Sequence, residues 1–278
     1  MLQGKVALVT GGGKGLGRGV ARRLAREGAR IVIAEIDGDA AEATASEIER
    51  EFGAKALAIT TDIADKDAAQ AAVEQSVEQF GSIDILVNNA SQLSANTFIE
   101  TKTDAMLERV LKIALWGSWW TMQAAMPHMR DRGGGAIGNF YSIDAEAGAW
   151  LHADYNIAKS ALLGLTRSAA SEWGRYNIRV NAIAPTGLGT VFEQLARDIP
   201  GFIEAEEWKN PLGRVGDPEK DIGSAVLFLA SELSSFVTGE LLHVDGGQHL
   251  PRYNSKPMDF GAVKIPERPD FKLEGGQL

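Results

Sequence analysis

The chain contains no cysteine in 278 residues, which excludes disulfides, thiolate metal sites and a cysteine nucleophile. Histidine is nearly as scarce. His128, His152, His243 and His249 are the only four, and no His-Glu-x-x-His pattern joins them, which speaks against a metal centre. Positive charge is also in short supply: 28 Lys and Arg stand against 37 Asp and Glu, a formal charge of −9, whereas nucleic-acid-binding surfaces are normally basic. No apolar run approaches the roughly 18 residues that span a bilayer. The first residues lead directly into a strand pattern with no signal peptide, so the expected location is the cytoplasm. What remains, 45% hydrophobic and 23% charged residues, is the composition of an ordinary globular protein with room for one large domain or two small ones.

What is present is an alternation of short apolar strands and helical periods. Lys5 to Thr10 is a strand, and a glycine cluster, TGGGKGLGRG, runs from Thr10 to Gly19. Val20, Leu24 and Ala25 mark a helix ending near Gly28, after which a second strand, Ile31 to Ala34, closes on Glu35. Strand, glycine turn, helix, strand and acid make the first half of a dinucleotide-binding fold. Glycines let the backbone approach a pyrophosphate, and the helix N-terminus supplies unpaired N–H groups and positive dipole. The cluster fits TGxxxGxG through Thr10, Gly11, Gly15 and Gly17, with Leu16 inside it, and fits GxGxxG in no register. Glu35 lies 18 residues beyond Gly17, where a carboxylate can accept hydrogen bonds from the adenosine ribose and repel a 2′-phosphate. Lys14 could attract that phosphate or be a solvated turn residue. Because a carboxylate at the ribose opposes the phosphate directly, NAD is the expected cofactor, with NADP as the alternative.

The pattern continues with a helix over Asp39 to Phe52, a strand from Ala54 to Thr60 leading to Asp62 and Ile63, and a helix from Lys66 to Phe80 capped by Asp65. A buried strand, Asp84 to Asn88, ends in Asn-Asn-Ala-Ser. One long helix is expected over Lys102 to Met129, then a strand from Gly135 to Tyr141, a helix carrying Tyr155, and a strand from Asn177 to Ala184. Pro218 to Ala230 is a further helix and Glu240 to Val244 a last strand. This order predicts an α/β chain whose residues 1–250 form a single Rossmann-type, doubly wound parallel sheet of about seven strands with helices on both faces. Residues 186–217 interrupt it, with short helices expected over Phe192 to Ile199 and Ile203 to Lys209; connections of this length often serve as lids. Residues 251–278 hold four of the nine prolines and are expected to form an extended tail.

The chemistry concentrates between Phe140 and Leu163. Tyr155 and Lys159 are four apart on a helix and share a face, and Ser142 precedes the tyrosine by 13 residues. The lysine charge is expected to pull the phenol below its usual pKa of ~10, making Tyr155 a proton donor or acceptor near neutrality. Ser142, at a strand end, would hold the substrate oxygen. A Tyr-x-x-x-Lys pair by itself is more often a plain helix surface than a site; the surrounding motifs give it weight.

With these residues assembled, the sequence resembles the short-chain dehydrogenase/reductase family across residues 1 to about 250. The resemblance rests on TGGGKGLG from Thr10, Asp62, Asn88 to Ala90, Ser142 with Tyr155 and Lys159, Asn181 with Pro185, and Asp245-Gly-Gly. It implies hydride transfer between a nicotinamide and a carbonyl or secondary alcohol. Tyr155 would be the general acid/base, Lys159 would lower its pKa and bind the nicotinamide ribose, and Ser142 would position the substrate. Thr190 would contact the nicotinamide carboxamide and Asp62 the adenine, with Ile63, Asn89, Ala90 and Pro185 lining the cofactor. It also implies a homotetramer or homodimer, with the long helix and the Tyr155 helix paired across a two-fold axis. Three positions depart from the family pattern: Ala114 replaces the asparagine of its proton relay, Ser91 replaces a glycine, and Thr186 follows Pro185 where glycine is usual.

The expected substrate is an apolar cyclic or aromatic secondary alcohol or ketone. Trp150 is a candidate pocket wall, and Asp144 and His152 could meet a polar substrate group or simply be solvated. Trp116, Trp119 and Trp120 suit a core or a subunit interface. A 3-oxoacyl-thioester reductase is the rival enzyme. A catalytically impaired dinucleotide-binding protein, with Ala114 as the first sign of decay, is the rival outside catalysis.

Overall fold

The computed structural model describes residues 1–250, so the expected tail at 251–278 lies outside the described residues. The strands are β1 (Val6–Thr10), β2 (Arg30–Glu35), β3 (Ala56–Thr60), β4 (Ile85–Asn88), β5 (Gly135–Phe140), β6 (Ile178–Pro185) and β7 (Leu241–Val244). They form one seven-stranded sheet, all pairs parallel, in the order β3-β2-β1-β4-β5-β6-β7. The central strands lack polar alternation because both faces are covered. Ala7, Val9, Ile31 and Ile33 point into one apolar layer, and Val6, Leu8, Val32 and Ala34 into the other.

Helices α1 (Gly15–Arg26) and α2 (Gly38–Phe52) cover the first layer, and α3 (Lys66–Phe80) the second. The caps follow local chemistry: Asp37 accepts from Ala40 N–H and Asp65 from Ala68 N–H, while Gly53 and Gly81 end α2 and α3 in the left-handed conformation. The expected helix from Lys102 begins instead at Asp104, because the Thr103 side chain caps it. It is also not uniform: α4 (Asp104–Leu111) passes through a π-helical turn at Lys112–Trp116 into α5 (Gly117–Asp131). A second π-turn, Pro218–Ile222, precedes α10 (Gly223–Ala230), where a single helix from Pro218 was expected.

Downstream of β5 lie the short α6 (Ile143–Ala147) and the 21-residue α7 (Ala153–Trp173). A buried amide and hydroxyl network holds α5 and α7 to the sheet: Thr121 donates to Asn88 Oδ1 at 2.8 Å, Asn88 to Asn139 at 2.9 Å, and Asn139 to Thr166 at 2.9 Å. Such a network is stable because each member is satisfied. Helices α8 (Thr190–Asp198) and α9 (Phe202–Lys209) occupy the long connection after β6. Its two ends meet where Leu188 N–H donates to Gly216 and Gly216 N–H to Thr186. No helix among the described residues is long and apolar enough to cross a membrane.

The winding reverses between β1 and β4, and ligands of open α/β sheets bind in the crevice outside the strand C-termini at such a point. The turn there is shaped by close approach. A Cβ on Gly17 would lie 2.1 Å from the Gly11 carbonyl oxygen and 2.5 Å from Asn89 Nδ2, so only glycine fits.

Candidate active site

The glycine turn meets Asn89, Ala90 and Thr190 at this crevice. Gly11 and Gly15 adopt positive φ (63° and 51°) and fold the turn against two neighbours. Asn89 Nδ2 donates to the carbonyls of Thr10 and Gly11 at 3.0 Å, and Ala90 N–H donates to the Thr10 hydroxyl at 3.1 Å. On the other side Gly15 abuts Thr190, and Leu16 packs against Gly187 and Gly189, just past Pro185. Helix α1 has no side-chain cap on its Lys14 end and no acid in its first turn. Its N–H groups and dipole are therefore available to a pyrophosphate, which is the fit a dinucleotide requires.

Glu35 folds back on the turn, accepting from Gly13 N–H at 3.2 Å and Ile36 N–H at 2.9 Å. Each carboxylate oxygen accepts more than one bond, so the group can still receive a ribose hydroxyl. Lys14 has a partner of its own: its ammonium is 2.6 Å from Asp37, each raising or lowering the other's pKa toward the charged form through that hydrogen bond. Asp62 accepts from Ala64 N–H at 2.9 Å and faces Arg109, while Ile63 is buried against Ala69 and Ile113.

β5 delivers Ser142, which caps α6 by accepting from Asp144 N–H at 3.2 Å. Lys159 is buried to 2% exposure and donates to the Phe140 carbonyl at 2.6 Å, with its Nζ 5.5 Å from the Tyr155 ring centroid. The expected depression of the phenol's pKa is reversed. Burial pushes Tyr155 up to about 12, the nearby Asp144 charge adds to the rise, and hydrogen bonding from Ser142 and Ser91 opposes it. Burial likewise brings Lys159 down to about 7. The lysine does not ionise the phenol because its proton is directed at a backbone carbonyl and the same desolvation weakens its own charge.

Ala114 sits in the π-turn and packs its methyl against Val110, Ala158 and Tyr155. Asp144 and His152 are joined, His152 Nδ1 lying 2.9 Å from the carboxylate, and the imidazole stands edge-on to Tyr155 at 6.2 Å. Trp150, 83% exposed, lines a cavity of about 400 Å³ with Phe98, Ile99, Leu151 and Asn156. That cavity flanks α7 but includes neither Ser142 nor Tyr155, so the tryptophan is not brought to the phenol. Two features escaped the sequence reading. Ser91 meets Tyr155, and Glu146 is bonded by His243 at 2.9 Å, with His249 stacked on His243 at 4.0 Å. No local signal marks the second, since its partners are 97 residues apart.

A doubly wound parallel sheet with a glycine turn at its switch point and a tyrosine, lysine and serine beside it defines a dinucleotide-dependent oxidoreductase. A family model described as enoyl-(acyl carrier protein) reductase matches residues 11–249. An L-rhamnose 1-dehydrogenase (NAD(P)(+)) of Azotobacter vinelandii is 38% identical over 254 residues, spanning 89% of this chain and 97% of the relative. The crystal structure of levodione reductase superposes with TM-score 0.85 at 33% identity, covering 90% of this chain and 99% of that one. That of 3-ketoacyl-(acyl-carrier-protein) reductase from Brucella melitensis complexed with NADH does so with TM-score 0.81 at 33% identity, covering 90% and 100%. The chain belongs to the short-chain dehydrogenase/reductase family. It is an NAD(P)-dependent oxidoreductase.

Proposed function

We propose that this protein interconverts a ring-borne secondary alcohol and its ketone, with NAD as the preferred cofactor and Tyr155 as the general acid/base. The observation that carries the reading is the Tyr155 ring set beside the buried Lys159, with Ser142 delivered to the same end of the sheet by β5. Ser142 orients the substrate oxygen. As phenolate, Tyr155 accepts the hydroxyl proton in oxidation and becomes phenol; as phenol it donates that proton in reduction. The Lys159 charge favours the phenolate form, although it leaves the resting phenol neutral. The bound nicotinamide supplies the hydride acceptor or donor. Residues 186–217 act as the lid that excludes water. A panel of cyclic alcohols offered with NAD and with NADP tests the assignment; no oxidation of any member with either cofactor would overturn it.

One observation favours a substrate bearing further hydroxyls. The Asp144–His152 pair sets a carboxylate and an imidazole beside the phenol, groups that can accept from and donate to a polyol. The rhamnose dehydrogenase relative points the same way. The phosphate-bearing carrier arm of a 3-ketoacyl thioester, the substrate class in the Brucella relative's name, would meet the Asp144 carboxylate less favourably.

NAD is preferred because Glu35 stands at the end of β2 while Lys14 is engaged by Asp37. The variant Glu35→Gln/Asp37→Asn removes two negative charges and releases the lysine. Its NADP-to-NAD ratio of kcat/KM is expected to rise by at least roughly tenfold, a difference of about 1.4 kcal/mol; an unchanged ratio would remove Glu35 from cofactor choice.

The protein is also proposed to be a homo-oligomer. Trp116 and Trp119 on the α4–α5 rod and Ile157 on α7 are exposed, and monomers seldom expose large apolar patches. Sedimentation velocity should find a dimer or tetramer that Trp119→Glu weakens; a wild-type monomer at micromolar concentration would refute this.

A further inference from the structure

Fifteen residues, 89–103, join β4 to α4, and among the described residues the stretch 91–97 makes no backbone–backbone hydrogen bond. Yet this stretch begins with Ser91, whose hydroxyl meets the catalytic phenol. Something other than secondary structure has to hold it. The candidate is a buried ion pair outside the motifs named in the sequence. Lys102 Nζ donates to Ser94 Oγ at 2.7 Å, to the Ala95 carbonyl at 2.9 Å, and pairs with Asp154 Oδ1 at 2.9 Å. The Ser94 hydroxyl donates in turn to Asp154 Oδ2 in a short bond. Asp154 Oδ1 also accepts from the backbone N–H of Tyr155 at 3.0 Å. The lysine and aspartate side chains are 8% and 2% exposed.

We infer that Lys102, Asp154 and Ser94 form a clamp that positions the substrate-side loop and the catalytic tyrosine relative to one another. The inference rests on the acid/base role proposed for Tyr155. Every ammonium hydrogen has an acceptor and both carboxylate oxygens have donors, so the charges are fully compensated where they stand. Burial alone would raise the Asp154 pKa, but the bonds from Ser94 and Lys102 hold it below the usual carboxylate range. Its place in the first turn of α7 adds the helix dipole. A buried ion pair stabilises a fold no better than apolar residues of the same volume, so its effect lies in fixing geometry. Here the geometry fixed is the N–H of the residue that carries the phenol and the loop that carries Ser91. None of the three touches the reacting atoms; they are positioning residues.

The test compares Lys102→Met, Asp154→Asn, the double variant and Lys102→Arg with wild type, as full chains, and carries Tyr155→Phe in parallel. Lys102→Met and Asp154→Asn are each expected to lower kcat/KM for the alcohol by roughly a hundredfold, since an ångström of misplacement can cost that much. The KM for NAD should stay unchanged, proteolysis of the NADH-bound protein within 91–103 should quicken, and Lys102→Arg should restore most of the activity. The double variant should be no worse than either single change, because each removes the same contact. Asp154→Asn, nearly isosteric, decides alone if Lys102→Met fails to fold. Variants that melt earlier but keep kcat and the alcohol KM would make the clamp merely structural and overturn the inference. If Tyr155→Phe turns over like wild type, it is the acid/base reading of the site that has failed instead.

Discussion

Tyr155→Phe is expected to bind NADH as wild type does and to turn over a cyclic secondary alcohol roughly 10²–10⁴-fold more slowly, the usual contribution of general acid–base catalysis. The substitution removes one oxygen and nothing else that the packing uses. The ring keeps its contacts with Val110, Ala114 and Ala158. The Ser142 and Ser91 hydroxyls lose a partner but remain at the cleft, where water can replace it. Stability should therefore change little while proton transfer is lost. Steady-state kinetics beside NADH fluorescence titration separate the two effects. Turnover equal to wild type would return the protein to the impaired, cofactor-binding class that Ala114 first suggested. Ala114 argues less strongly for decay than its position implies, because its methyl completes the apolar wall behind the tyrosine.

Lys159→Met should move activity and stability in opposite directions. Turnover is expected to fall by at least roughly 10², since no cation then supports the phenolate. Thermal stability near pH 7 is expected to rise. The ammonium is 2% exposed, with burial as the cause of its fall from 10.5 to about 7. Below pH 7 both folded and unfolded chains carry the charge, and the cost of burying it is felt in full. Between pH 7 and about 10.5 the unfolded chain keeps a proton that the folded chain has released, so wild-type stability rises with pH, by at most about 1.4 kcal/mol per unit. Tyr155 contributes the opposite slope only above pH 10, where the unfolded phenol ionises before the folded one at about 12. Chemical denaturation between pH 7 and 10 should thus show a rising wild-type stability and a flatter line for Lys159→Met. The lost bond to the Phe140 carbonyl costs roughly 1.5–3 kcal/mol, less than the charge penalty removed. A variant less stable than wild type at pH 7, with the same slope, would mean the folded lysine is fully charged and well solvated.

Much of this was legible along the chain because the relevant forces are local. Asp65 three residues before Ala68 caps α3 whatever surrounds it, and Gly81 ends the same helix because a left-handed residue is required there. The glycine turn, the acid after β2 and the Tyr155–Lys159 spacing likewise depend on neighbours within a few residues or one repeating unit. The π-turn at Lys112–Trp116 was not legible, since an extra residue in a helical turn hardly alters the apolar period. Nor was the contact of Ser94 with Asp154, 60 residues apart, or of Glu146 with His243, 97 apart.

Sequence alone determined the alternating βα order, the parallel sheet with its phosphate-ready turn, and the spacing of the Tyr155–Lys159 pair proposed for proton transfer. Tertiary structure decided the state of that pair. Whether a phenol beside a lysine is acidified depends on how much water each has lost and where the lysine's protons point, and both are set by residues from β5, α6 and the loop after β4. Spacing can bring two groups to one helix face; only the enclosing fold sets the dielectric and the competing acceptors that determine which of them holds its proton.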